Sequence, residues 1–194
     1  MRHVRRVCIY SGSSNADGPR YRAAARTMGT LLASAGIGVV FGGGRVGLMG
    51  EVADAALAAG GVVIGVITQN LQELELGHAG CTELFVVESM HARKLMMAQL
   101  SDALIALPGG FGTMEEMFEA TTWTQLNIHE KPVGILNVDG FYDALLAWIA
   151  HARREGFIKD IHGKLLTAHA EPVELLRALS GADIPRIETW IQDP

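Results

Sequence analysis

Short apolar runs alternate along the chain with stretches in which apolar positions return every three or four residues. The runs predict strands over 4–10, 37–41, 62–67, 83–87, 102–108 and 131–137. The stretches between them predict helices over 19–36, 48–60, 89–101, from the glycines near 110 to about 129, over 140–156 and over 170–181. Proline near the start of the first helix and glycine at its end fit the asymmetry of helix termini. Residues 68–82 read as a polar loop, and the segment around 165–170 as an edge strand. Strand–helix alternation over the whole length implies an α/β chain with a mostly parallel sheet. The strands are continuous Val/Ile/Leu runs, as expected when helices cover both faces. The expected architecture is therefore one domain over 1–194, a Rossmann-like three-layer αβα sandwich.

Composition narrows the classes of partner. Hydrophobic residues make up 49% and charged residues 19% of 194, which excludes a disordered chain. A net charge of -5 argues against nucleic acid, whose phosphate backbone needs a basic footprint, and against anionic lipid. The most apolar stretch, "VADAALAAGGVVIGVI", is broken by Asp54 and by Gly60-Gly61 and is too short to span a bilayer. The basic N-terminus precedes an apolar run too short for a signal peptide. Two cysteines, Cys8 and Cys81, make no disulfide framework and no C-x-x-C pair, so a reduced cytoplasm is the default expectation.

In a parallel sheet, ligands sit beyond the carboxyl ends of the strands. Glycine clusters fall there after the first, second and fifth predicted strands. The first places Ser11, Gly12 and Ser13, and the second Gly43 and Gly44, as candidate phosphate or ribose loops. Gly42 to Gly47 fits G-x-G-x-x-G, but the third strand ends "ITQN" with no acid to hold a ribose, which argues against a dinucleotide. A phosphate-binding, a packing and a plain-turn role all remain open for these glycines. After the fifth strand, "PGGFGTMEE" reads as a helix start. Thr113-x-x-Glu116 fits a capping box, so Glu116 is either a cap or a reactive carboxylate. The three glycines before it favour close approach of a ligand to backbone N–H groups. In "ESMHARK", His91, Arg93 and Lys94 lie near a helix start, against the helix dipole. They read as cations facing an anion, or as a solvated face.

These segments resemble the Lonely Guy family. "PGGFGTMEE" matches its P-G-G-x-G-T-x-x-E signature, "SMHARK" its M-H-x-R-K segment and "GGGRVGLMG" its first glycine loop. The similarity runs from about residue 4 to about 158. It implies a phosphoribohydrolase that cleaves the N-glycosidic bond of cytokinin riboside 5'-monophosphates, and of AMP, to free base and ribose 5-phosphate. By motif position it implies Arg93 and Glu116 as the catalytic pair. Substrate-binding roles fall on Glu75, Arg93, Lys94, Gly110, Phe111, Gly112, Thr113, Met114, Glu115, Glu116 and Thr122. Relatives carry the label lysine decarboxylase, but no feature marks a Schiff-base lysine.

The implied chemistry needs a carboxylate near the ribose to offset an oxocarbenium-like charge and to accept a proton from water. An arginine fork would orient phosphate or ribose oxygens and is expected to keep Glu116 ionised at neutral pH. No metal or organic cofactor is implied. The resemblance also implies a homodimer. The helix carrying Phe118, Trp123 and Leu126 reads as either its interface or intrachain core. A carrier or sensor of nucleotides without turnover is the alternative function, and it would not need the Arg93–Glu116 pair. The preferred base, adenine or an N6-prenylated adenine, is not legible.

Overall fold

A computed structural model describes residues 3–14, 18–74 and 76–185. Its strands are β1 (Arg6–Tyr10), β2 (Gly38–Phe41), β3 (Val63–Thr68), β4 (Glu83–Val87), β5 (Ala103–Ala106), β6 (Val133–Leu136) and β7 (Leu166–His169). They form one sheet in the order β4-β3-β2-β1-β5-β6-β7, and every pairing is parallel. Its helices are α1 (Pro19–Ser34), α2 (Gly47–Ala58), α3 (Gln69–Glu73), α4 (Met90–Gln99), α5 (Phe111–Gln125), α6 (Asp143–Arg154) and α7 (Pro172–Ser180). The segment expected as an edge strand is β7, paired to β6 alone. The polar loop 68–82 holds one element that its composition did not suggest, the short helix α3.

The central strands are buried along their length, save Arg6 at the start of β1, which is why they read as continuous apolar runs. Successive side chains still alternate: Val7 and Ile9 pack in one layer, Cys8 and Tyr10 in the other. One layer is closed by Met28 and Leu32 of α1, Val52 and Ala56 of α2, and Leu175 and Leu179 of α7. The other is closed by Met97 of α4, Met117 and Ala120 of α5, and Tyr142 at the head of α6. Each large apolar side chain so buried contributes about 1.5–3 kcal/mol. No helix among the described residues is long and apolar enough to cross a membrane.

Strand order decides where a ligand can sit. From β1 the chain builds outward to β4, then returns through α4 to β5 on the other side of β1. The loops leaving β1 and β5 therefore head in opposite directions and open a crevice at this reversal. Backbone hydrogen bonds hold its floor: Leu107 donates to the Tyr10 carbonyl (2.8 Å), Gly12 to Pro108 (3.1 Å) and Leu48 to Gly12 (3.0 Å). Gly47, at φ 62°, packs on the Ser13 backbone where any Cβ would overlap, so the start of α2 closes against the loop after β1.

Candidate active site

A cleft of about 370 Å³ lies over this reversal. Its polar end gathers Ser11, Gly12 and Ser13 from the loop after β1, Arg93 from α4, and Gly110, Phe111, Gly112, Thr113, Glu115 and Glu116 from the start of α5. Its other wall is apolar: Val46, Met49, Ile67, Leu71, Leu76 and Met90.

The polar end is set by how α5 begins. Gly110 stands at the cap position and no side chain caps the helix. Thr113 is the third helical residue and Glu116 the sixth, so the expected capping box does not form; the helix starts at Phe111, ahead of Thr113. The first N–H groups of α5 have no partner within the helix and carry the positive end of its dipole. The buried Ser11 hydroxyl, on the same cleft, has no hydrogen-bond partner. A buried polar group without a partner is costly, and an anion at this helix start would supply one.

Arg93 is buried and already anchored. Its Nε donates to the Val66 carbonyl (3.0 Å), one Nη to the Gly42 carbonyl (2.8 Å), and the other Nη to the Met90 sulfur (3.6 Å). Only glycine fits at 42, because a Cβ there would overlap the guanidinium. Two of the five guanidinium N–H groups are left over, on a side chain whose position is fixed by the ends of β2 and β3.

Glu116 departs from expectation. Burial pushes its pKa up from 4.5 to about 7, against the pull of Arg93; Glu115 adds to the rise, Lys94 opposes it and Glu119 adds again. Loss of hydration outweighs the arginine, so Glu116 is about half protonated at neutral pH instead of held ionised. A carboxyl poised near the working pH suits proton transfer.

Other expected site residues are placed differently. Lys94 is buried but does not line the cleft; its Nζ pairs with Glu115 and, at 3.0 Å, with Glu119. Met114 packs toward the core. Thr122 is exposed on a separate groove with Phe118 and Trp148. His91 is exposed. Gly44 lines the cleft, whereas Gly43 faces Ile67 and Leu84 behind it. Glu75 lies outside the described residues.

The apolar wall was not read from the sequence. Leu71 sits on α3 and Leu76 just after it. This lid is pinned over the glycine loop: Arg45 N–H donates to Leu76 (2.9 Å), His78 N–H to Gly43 (2.8 Å), and Gly44 bridges Gly77. His78 Nδ1 accepts from the Gly80 N–H, so its Nε2 carries the proton and donates to Asp54 at 3.0 Å. The signal that was available was three leucines, 71, 74 and 76, in an otherwise polar stretch.

Known proteins resemble this chain in sequence and fold. A family model described as "Possible lysine decarboxylase" matches residues 49–179. The cytokinin riboside 5'-monophosphate phosphoribohydrolase LOG1 of Arabidopsis thaliana is 44% identical over 184 residues, 95% of this chain and 86% of the relative. The probable cytokinin riboside 5'-monophosphate phosphoribohydrolase LOGL5 of Oryza sativa subsp. japonica is 48% identical over 172 residues, 89% and 70% of the two chains. Among solved structures, the molybdenum cofactor binding protein from Rippkaea orientalis superposes with a TM-score of 0.68 at 23% identity, covering 89% of this chain and 95% of that one. The molybdenum cofactor carrier protein of Chlamydomonas reinhardtii gives 0.68 at 20% identity, covering 89% and 94%. At such identity these two speak for the fold alone. The family model across the middle of the chain and relatives of this identity over most of its length lead to one conclusion: the chain belongs to the LOG, or Lonely Guy, family.

Proposed function

We propose that this cleft hydrolyses the N-glycosidic bond of cytokinin riboside 5'-monophosphates, and of AMP, releasing the free base and ribose 5-phosphate. The observation that carries the reading is a half-buried carboxyl, Glu116, in one cleft with an anion-binding helix start, the partnerless Ser11 hydroxyl and the anchored Arg93. The 5'-phosphate takes the N–H groups at the start of α5 and the Ser11 hydroxyl, and Arg93 spends its two remaining N–H groups on phosphate or ribose oxygens. As the bond from C1' to the base nitrogen breaks, positive charge builds on the ribose. The Glu116 carboxylate offsets that charge and takes a proton from the water that bonds to C1'; the proton ends on the departing base.

The apolar wall gives the base end a preference. An N6-prenyl group would lie against Leu71, Leu76, Val46 and Met49, at about 0.8 kcal/mol for each buried CH₂. Prenylated substrates should therefore outrun AMP by about tenfold or more in kcat/KM. Decarboxylation of lysine, suggested by the family model's description, would need a lysine presented to the cleft, and Lys94 is turned to two carboxylates instead. A non-catalytic carrier would need the glycine loops but not a half-buried carboxyl beside them.

The protein acts as a homodimer in this reading. The groove between α5 and α6, about 320 Å³, is walled by Phe118, Leu146 and Trp148, and Leu126, Ile128 and Phe157 are also exposed. Apolar surface on this scale suits a self-complementary interface. Two free thiols, Cys8 and Cys81, support a cytoplasmic setting. The function is tested by incubating the protein with AMP or with isopentenyladenosine 5'-monophosphate and separating the products. Free base and ribose 5-phosphate support it; intact nucleotide that remains bound would favour the carrier.

A further inference from the structure

Arg93 and Lys94 are neighbours on α4, both cationic and both buried, yet only Arg93 faces the cleft. Lys94 reaches across to α5 and pairs with Glu115 and Glu119, residues one helical turn apart. Glu116 lies between them in the sequence and presents its own carboxyl to the cleft. Three carboxylates on little more than one turn of α5 thus depend on a single ammonium ion and a guanidinium. Burial pulls the lysine's affinity for its proton down, but hydrogen bonds from Glu115 and Glu119 more than restore it, so the ammonium is charged throughout the working range.

We propose that Lys94 is a positioning residue: by holding Glu115 and Glu119 it governs the charge state in which Glu116 meets the substrate, and it does not bind the nucleotide. The proposal rests on Glu116 being the reacting carboxyl. Among the described residues, the groups that act most strongly on Glu116 come from three elements. From α4 come Arg93 and Lys94, from α5 Glu115 and Glu119, and from β1 Cys8 and Tyr10. Burial raises the Cys8 thiol and the Tyr10 hydroxyl well above their ordinary values, so both stay neutral while Glu116 titrates. Arg93 stays charged as well. That leaves the lysine and its two carboxylates as the adjustable part of the field. Without Lys94, two uncompensated negative charges flank Glu116 and disfavour its ionisation; without the Glu119 charge, ionisation becomes easier.

The sign reversal makes the test independent of how well any one variant folds. The Glu116 carboxyl is followed by carbon NMR on protein labelled at glutamate, its signal assigned by its loss in Glu116→Gln. The midpoint should rise by about one pH unit in Lys94→Met, fall in Glu119→Gln, and return close to wild type in the double variant. Nucleotide contact is read separately, as AMP affinity in the Glu116→Gln background, where turnover and Glu116 titration are both absent. Adding Lys94→Met there should change the dissociation constant by less than about threefold, whereas loss of a charge-assisted phosphate contact costs about tenfold or more. A midpoint that ignores both single substitutions, or a loss of AMP affinity above tenfold, would overturn the proposal. Midpoints that move as expected in a protein that never binds AMP would leave Lys94 controlling Glu116 and sink the substrate reading alone.

Discussion

The two walls of the cleft are built on opposite principles. The polar wall hangs on the sheet: Arg93 is tied to carbonyls at the ends of β2 and β3, and the starts of α2 and α5 are closed against the loop after β1. The apolar wall hangs on a lid, in which α3 and residues 76–78 are held to the glycine loop by a few backbone bonds and the His78–Asp54 pair. Chemistry needs atoms held to a fraction of an ångström, and in the proposed reading it falls to the wall anchored on the sheet. Recognition of an apolar group needs only area, and in the proposed reading it falls to the wall that stands off the sheet.

The largest effect expected is at Glu116. An amide cannot offset an oxocarbenium or accept a proton, so Glu116→Gln should lose about 10³-fold or more in turnover while still binding AMP. It should also become more stable. With its folded-state pKa raised, Glu116 carries no penalty below pH 4.5, loses stability as the pH climbs toward 7, and bears the full cost above that. Removing a shift from 4.5 to about 7 is worth on the order of 3 kcal/mol at pH 8. Thermal melting should therefore separate the two proteins at pH 8 and bring them together below pH 4.5.

Arg93→Lys comes next. Lysine keeps the charge but cannot satisfy the Val66 and Gly42 carbonyls and a ligand at once, so kcat/KM should fall by on the order of 10²-fold. Activity within tenfold of wild type would reduce Arg93 to a point charge. Ser11→Ala should raise the KM for AMP by about tenfold, the loss of one charge-assisted hydrogen bond. Without nucleotide it should raise the melting temperature slightly, because it deletes a buried hydroxyl that has no partner. The smallest effect belongs to the lid. Leu71→Ala with Leu76→Ala should cut the preference for a prenylated substrate over AMP by about fivefold and leave AMP turnover nearly unchanged. An equal loss on both substrates would mean that the two walls are not separable.

Much of the polar wall was legible because its signals are local. Glycines after apolar runs mark loops at strand ends, and a parallel sheet brings such loops to one edge. The helix start near 110 was legible, but the capping-box alternative was not decidable: Thr113 and Glu116 have the right spacing for a box, while the chain turns helical at Phe111 and leaves Gly110 as the cap. The charge state of Glu116 was misread because charge patterning counts neighbours and not lost water, and here burial is the larger influence. The partner of Lys94 at Glu119 is a contact between α4 and α5, which no spacing within one helix reveals. The lid was missed because Leu71 and Leu76 are set among polar residues that face solvent, so neither strand nor helix periodicity marks them.

In the proposed mechanism Glu116 is a carboxylate that must lose its proton before it can work. Its most direct test is the pH dependence of kcat/KM for adenine release from AMP, wild type against Glu116→Gln, between pH 5 and 9. The substrate phosphate titrates alike with both proteins, so the difference belongs to the side chain. Wild-type activity should fall toward acid with a midpoint near pH 7, and the residual activity of Glu116→Gln should lack that limb. The same acidic limb in both proteins, or a Glu116→Gln variant within tenfold of wild type at pH 8, would contradict the account.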